Sequence, residues 1–189
     1  MARRADQADG ETTAAKLCAA AMAEFNAHGF AGTDTNRIAR RAGFAPQTFY
    51  RWYKDKTEIF IAAYRAWEEA EKAAVERLMA EDAPVEALVD VAIAHHRQHL
   101  GFRRSLRQLS LENPQVRAAR AQTRLRQVEW IRNWYGRGEV ADIATQLFEL
   151  ERLADAVAEG EFADMGLDDA EGLAELVRIV SGLRTGETA

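Results

Sequence analysis

Between Asp34 and Lys56 the chain reads DTNRIARRAGFAPQTFYRWYKDK, and its polar residues are of the types that recognise nucleic acid. The Gln47 amide can pair with an adenine edge, the Arg51 guanidinium with guanine or phosphate, and Thr48 with a thymine methyl or a phosphate. Tyr50 and Lys56 suit the sugar-phosphate backbone. Such groups read a sequence only if a helix carries them into a groove, and the residues around them spell a helix, a turn and a second helix. Asp34 can cap a helix whose inward face is Ile38, Ala39 and Ala42, with Ala39 small enough to let another helix cross closely. Gly43 falls where the chain must turn and reaches positive φ at little cost, and Phe44 plugs the corner. Pro46 suits the first position of the next helix, where a missing N–H costs nothing. Phe49, with Trp52 or Tyr53, buries that helix's inner side and leaves Gln47, Thr48, Tyr50 and Arg51 outside.

A second constellation, His95 and His99, has the i, i+4 spacing that can grip a metal from one helix face. No glutamate stands between them in the zinc-protease arrangement, and no third ligand follows at a matching spacing. The chain has no glycine-rich phosphate loop and no serine elbow. The expectation is therefore no catalytic residue, no metal and no cofactor; a metal-binding or catalytic helical bundle built on His95/His99 is the alternative. The single cysteine, Cys18, excludes an internal disulfide and fits a reducing cytoplasm. It shares a helix stripe with Leu17, Ala21, Met22 and Phe25, the setting of a buried structural thiol.

Formal net charge is −5, yet it is unevenly placed. Residues 1–60 sum to +2, residues 61–189 to −7, and residues 34–56 alone to +4. A basic head on an acidic body steers toward phosphate over the ~10 Å that screening allows. Arg3 and Arg4 form a terminal arm of the kind that enters minor grooves. No long apolar run or cleavable leader is present, so no membrane partner is expected.

Ala, Leu, Glu and Arg are abundant and prolines number three, which favours helices throughout. Breakers and periodicity place helices over residues 12–27, from 56 through Leu78 to a break at Asp82-Ala83-Pro84, and over 85–100, 103–111, 114–135, 142–162 and 168–183. Asp55 with Glu58 makes an aspartate version of a capping box at the start of the long helix. On the helix of residues 85–100, His96 falls at the centre of an apolar stripe with His99 towards its edge. Thr123 and Gln127 share a stripe with Trp130 and Trp134 on the helix after Pro114. Polar groups facing a core need partners, which a bound small molecule or a neighbouring side chain can supply. The last two helices carry the stripes Ile143, Leu147, Leu150, Ala154, Val157 and Leu173, Val177, Val180.

From about Lys16 to Trp67 the chain resembles the DNA-binding domain of the TetR family of transcriptional regulators, through AEFNAHGF, Thr33-Asp34, IARRAG, QTFYRWY and Lys56. The family commonly has Ser or Thr at the position of Asp34, Ser at Ala45, Gly at Gln47 and Phe at Tyr53. Asp34 would repel a phosphate, so it is read as a cap, and Gln47 adds a reading side chain. The resemblance implies an all-α fold: a three-helix helix-turn-helix domain over 1–56 and a larger helical bundle over 57–189 for ligand binding and dimerisation. Thr33, Thr35, Arg37, Ala45, Pro46, Gln47, Thr48, Tyr50, Arg51 and Lys56 are the candidate DNA contacts. His96, His99, Thr123, Gln127, Trp130 and Trp134 are the candidate effector contacts, and the two C-terminal stripes are the candidate homodimer interface. The implied function is a cytoplasmic, dimeric repressor that binds a pseudo-palindromic operator in double-stranded DNA and is released by a small molecule. A helix-turn-helix adaptor without an effector is a further alternative.

Overall fold

The computed structural model describes residues 2–136 and 138–185, with side chains from residue 12 onward, so the side chains of Arg3 and Arg4 lie outside the described residues. Every regular element among the described residues is a helix: α1 (Ala2–His28), α2 (Thr35–Arg41), α3 (Pro46–Phe49), α4 (Lys56–Ala80), α5 (Val85–Gln98), α6 (Leu100–Glu112), α7 (Pro114–Tyr135), α8 (Val140–Glu159), α9 (Glu161–Asp164) and α10 (Ala170–Thr185). No described helix is long and apolar enough to cross a membrane.

The chain forms two compact units, one of residues 1–69 with 101–117 and one of residues 70–100 with 118–189. Packing thus groups α6 and the first half of α4 with the amino-terminal helices, where the sequence reading expects a division after Lys56.

In the first unit the local rules hold in detail. Asp34 caps α2 by accepting from the Arg37 N–H at 2.8 Å. Gly43 turns the chain with φ +81°, and Pro46 opens α3. Ile38, Ala39 and Phe49 are fully buried, and Phe44 packs against their cluster. Around them stand Phe25, Phe60 and Phe102, with ring centroids 5.0 Å apart for Phe25–Phe60 and 4.9 Å for Phe60–Phe102. Aromatic pairs of this kind contribute about 0.5–1.5 kcal/mol each beyond simple burial. At α4 the capping box is only half formed. The Glu58 N–H donates to Asp55, but the Glu58 carboxylate accepts from the N–H of Lys54 rather than from that of Asp55.

Several helix ends differ from the sequence expectation. α1 begins at Ala2 rather than 12, so the backbone of Arg3 and Arg4 lies in its first turn and not on a terminal arm. His99 leaves helical geometry at φ −125°, ψ 29°, ending α5 at Gln98, and α6 begins at Leu100 rather than 103. Gly101 makes this start possible, because a Cβ there would fall 2.0 Å from the Asn26 carbonyl oxygen on α1. The segment expected as one helix over 142–162 is divided at Gly160, φ +80°, into α8 and α9.

The second unit has an aliphatic core. Val89 and Ile93 of α5 meet Ala154 and Val157 of α8 and Leu176 of α10. A separate cluster joins Val128 and Ile131 of α7 to Ile143 and Leu183.

Candidate nucleic-acid interface

The turn of α3 presents Gln47 and, just beyond it, Arg51 to solvent, while Thr48 and Pro46 are half-buried and Ala45 is exposed. Tyr50 is 60% exposed, and its hydroxyl lies 3.0 Å from the Thr35 hydroxyl, pinning the end of α3 to the start of α2. Either oxygen can donate in that pair, so one hydroxyl hydrogen remains to point outward. Of the two aromatic residues offered for the inner side, Tyr53 is the one that packs. Its hydroxyl donates to the Ala14 carbonyl at 3.2 Å, and burial pushes it up to about 12, with Cys18 and Glu58 adding to the shift. Trp52 stays 40% exposed beside Arg51. Cys18 is half-buried, and that burial raises its thiol, which leaves little thiolate for redox chemistry.

Three candidate contacts are engaged by partners within the protein. Thr33 is 2% exposed, and its hydroxyl donates to the carbonyls of Glu24 and Gly29 at 3.1 and 2.9 Å, so this side chain fastens the turn after α1. Lys56, expected to hold phosphate, donates to the carbonyls of Phe30 and Thr33 at 2.8 and 2.9 Å and lies 4.2 Å from the Phe30 ring centroid. Burial lowers its ammonium from the ordinary value, with Asp34 opposing the shift. Two of its three N–H donors therefore cap orphan carbonyls, and the third is what a phosphate can use. Arg37 donates from Nε to Glu24 at 2.9 Å, and Arg41 joins the other oxygen of the same carboxylate at 3.1 Å.

Glu24, Arg41 and Ser105 went unnoticed in the sequence. Ser105 accepts from the Phe30 N–H at 3.0 Å and donates to the Gly101 carbonyl at 3.1 Å, closing the turn from the side of α6. Nothing local announces it, since 75 residues separate the partners. Glu24 did leave a signal. It lies three residues beyond Ala21 on the buried stripe of α1, and Arg37 and Arg41 are one helical turn apart.

In the second unit, His96 is buried and its Nε2 lies 3.1 Å from Glu71 Oε1, so a neighbouring side chain supplies its partner. The Nδ1 of His99 lies 2.9 Å from the His95 carbonyl oxygen, and among the described residues no group of three or more His, Cys, Asp or Glu is placed to hold a metal. Thr123 is buried and accepts from Arg126 at 2.8 Å; Gln127 is half-buried. Trp130 donates its indole N–H to Glu76 at 2.7 Å, whereas Trp134 is 45% exposed. The effector candidates therefore do not share one environment. Ile143, Ala154 and Val157, expected at a dimer face, are buried within the unit's own clusters. Leu147 and Leu150 of α8 and Leu173, Val177 and Val180 of α10 are half-buried, and Phe148 of α8 stands exposed with the Arg124 guanidinium 4.5 Å from its ring centroid.

Residues 17–63 match the family described as bacterial regulatory proteins, tetR family. The HTH-type transcriptional repressor SCO4008 of Streptomyces coelicolor is 43% identical over 54 residues, a segment that spans 29% of this chain and 28% of the repressor. Likeness of fold extends much further. A Rhodococcus sp. protein classed as a TetR-family transcriptional regulator aligns with TM-score 0.70 and 15% identity over 91% of this chain and 98% of its own. The transcriptional regulator FadR of Bacillus subtilis, solved with stearoyl-CoA, aligns with TM-score 0.56 and 19% identity over 92% and 98% of the two chains.

Proposed function

We propose that this chain, which carries a TetR-family helix-turn-helix domain over residues 17–63, is a dimeric transcriptional repressor that reads an operator with Gln47 and Arg51. The observation that carries the reading is the exposed edge of α3. Its capped and proline-started elements hold Gln47 and Arg51 outward on a turn whose inner side is locked by Phe49 and Tyr53. Residues 1–56 form the DNA-contacting part, with Thr35 and Tyr50 as a paired hydroxyl contact to backbone. The remainder, 57–189, is the dimerising and effector-binding part.

A second copy is required on physical grounds. One α3 offers too few base contacts to select an operator over genomic competitors, and a two-fold pair of heads reads a pseudo-palindrome. The half-buried residues of α8 and α10, with exposed Phe148, provide the apolar surface for that pairing. Release by a small molecule follows if the effector favours a head spacing that misfits consecutive half-sites. The Bacillus subtilis neighbour, solved in complex with stearoyl-CoA, supports the binding of a small molecule, on which that step depends.

Selection of bound sequences from random duplex DNA tests the reading. The expected result is enrichment of a two-fold motif that loosens at one base in each half when Gln47 is replaced by alanine. Absence of enrichment at low ionic strength overturns it.

A further inference from the structure

A carboxylate buried in a DNA-reading head needs a reason. Glu24 is 5% exposed on α1 and uses both of its oxygens, one for Arg37 and one for Arg41. His28, one turn further along α1, has its Nε2 3.8 Å from the same carboxylate. Thr33 donates its hydroxyl to the Glu24 backbone carbonyl, so the group is anchored at both ends. The two arginine side chains remain 40% and 50% exposed, on the helix that crosses the backbone in helix-turn-helix complexes. Burial by itself would raise the Glu24 carboxyl; the hydrogen bonds and charges of Arg37 and Arg41 outweigh it and hold the carboxyl below the usual range. The carboxylate is thus ionised wherever DNA binding is measured.

Two exposed guanidinium groups on one face of α2 would, if unopposed, bind phosphate of any sequence. The Glu24 carboxylate bridges the two guanidinium groups, giving each one anionic oxygen as a phosphate can. We propose that Glu24 is an internal stand-in for phosphate, which occupies Arg37 and Arg41 and so keeps general affinity low while Gln47 and Arg51 make the choice of sequence. Glu24 is on this account a specificity-determining residue that touches no DNA. The inference rests on the proposed DNA-binding function and adds to it the question of which cations take part.

The test compares salt dependence for wild type and E24Q in the full-length protein, on a random-sequence duplex pool of about 30 base pairs at pH 8, above the ordinary imidazole range of about 6.5. Glutamine keeps an acceptor for one arginine and removes the charge. E24Q is expected to steepen the slope of log K against log salt by about 0.9, so that a fourfold rise in salt costs it about 3.5-fold more affinity than wild type. Affinity for the selected operator then rises less than affinity for the pool. Arg41→Gln, which leaves Arg37 on Glu24, is expected to keep the wild-type slope, and in the E24Q background to cancel the gain. This single substitution also decides the matter should E24Q fail to fold. Equal slopes for wild type and folded E24Q, or a slope lowered by about 0.9 in Arg41→Gln alone, overturn the inference while leaving the DNA-binding reading intact. Failure of wild type to bind any duplex overturns both.

Discussion

The two units solve the same problem, that of burying helices against one another, with different side chains. The first is knit by aromatic rings and by polar groups that fasten turns, as Thr33, Ser105 and Lys56 each hold backbone atoms of the segment from Glu24 to Thr33. The second is built on Val, Leu, Ile and Ala stripes, with ion pairs at its margins: Arg97 to Asp169, Arg120 and Arg124 to Glu151, and Arg152 to Glu161. The first unit's fasteners hold the connection from α1 to α2, and the Thr35–Tyr50 hydroxyl pair holds the start of α2 to the end of α3, a fixed relation that reading bases requires. The second unit's clusters are held by apolar contact among α5, α7, α8 and α10.

The sharpest way to break this contrast is at the aromatic cluster. Phe60→Ala is expected to cost about 3–5 kcal/mol, because the cavity is lined by rings that cannot collapse into it. Chemical denaturation followed by circular dichroism measures this, and a loss below about 1 kcal/mol would show that the rings are not the unit's core. Next is Lys56→Ala, which strips two carbonyls of their donor and is expected to cost about 1–3 kcal/mol. The same variant should alter the salt slope for DNA by less than one phosphate contact. A full unit's drop, with stability intact, would restore Lys56 as chiefly a phosphate ligand.

Acid provides a graded test. Because the folded-state value of Glu24 is depressed, its contribution is present above the ordinary carboxylate range and fades as pH falls through that range and below it. Melting temperature of wild type should therefore decline over this window more steeply than that of E24Q, and parallel declines would remove Glu24 from the account. The smallest effect belongs to the second unit's rim. Arg152→Ala loses an exposed ion pair with Glu161 and should change stability by no more than about 1 kcal/mol, an amount that disappears in molar salt. A larger loss would mean that the rim, not the aliphatic core, carries that unit.

Legibility followed the range of each interaction along the chain. Asp34 as cap, Gly43 as turn, Ala39 at the crossing and Pro46 at a helix start all act on neighbours within a few residues, and each stands where expected. The stripes of α8 and α10 were equally visible, but periodicity says only that a face is apolar, not what covers it. Hence Ile143, Ala154 and Val157, which read as surface for a second copy, lie in their own unit's core. The i, i+4 spacing of His95 and His99, which offered the alternative of a metal grip, is likewise silent about surroundings: His99 leaves helical geometry, and its Nδ1 lies 2.9 Å from the His95 carbonyl oxygen.

Composition, capping residues and turn residues by themselves determined that this chain is helical, where α2 and α3 begin, and that Gln47 and Arg51 stand on an exposed turn. Which charges remain available to DNA was decided only in three dimensions. Lys56 and Arg37 look free as letters, yet one is held by the carbonyls of Phe30 and Thr33 and the other by the Glu24 carboxylate. A side chain's partner depends on what folding brings within about 3 Å of it, and backbone oxygens from a distant turn leave no mark in the sequence.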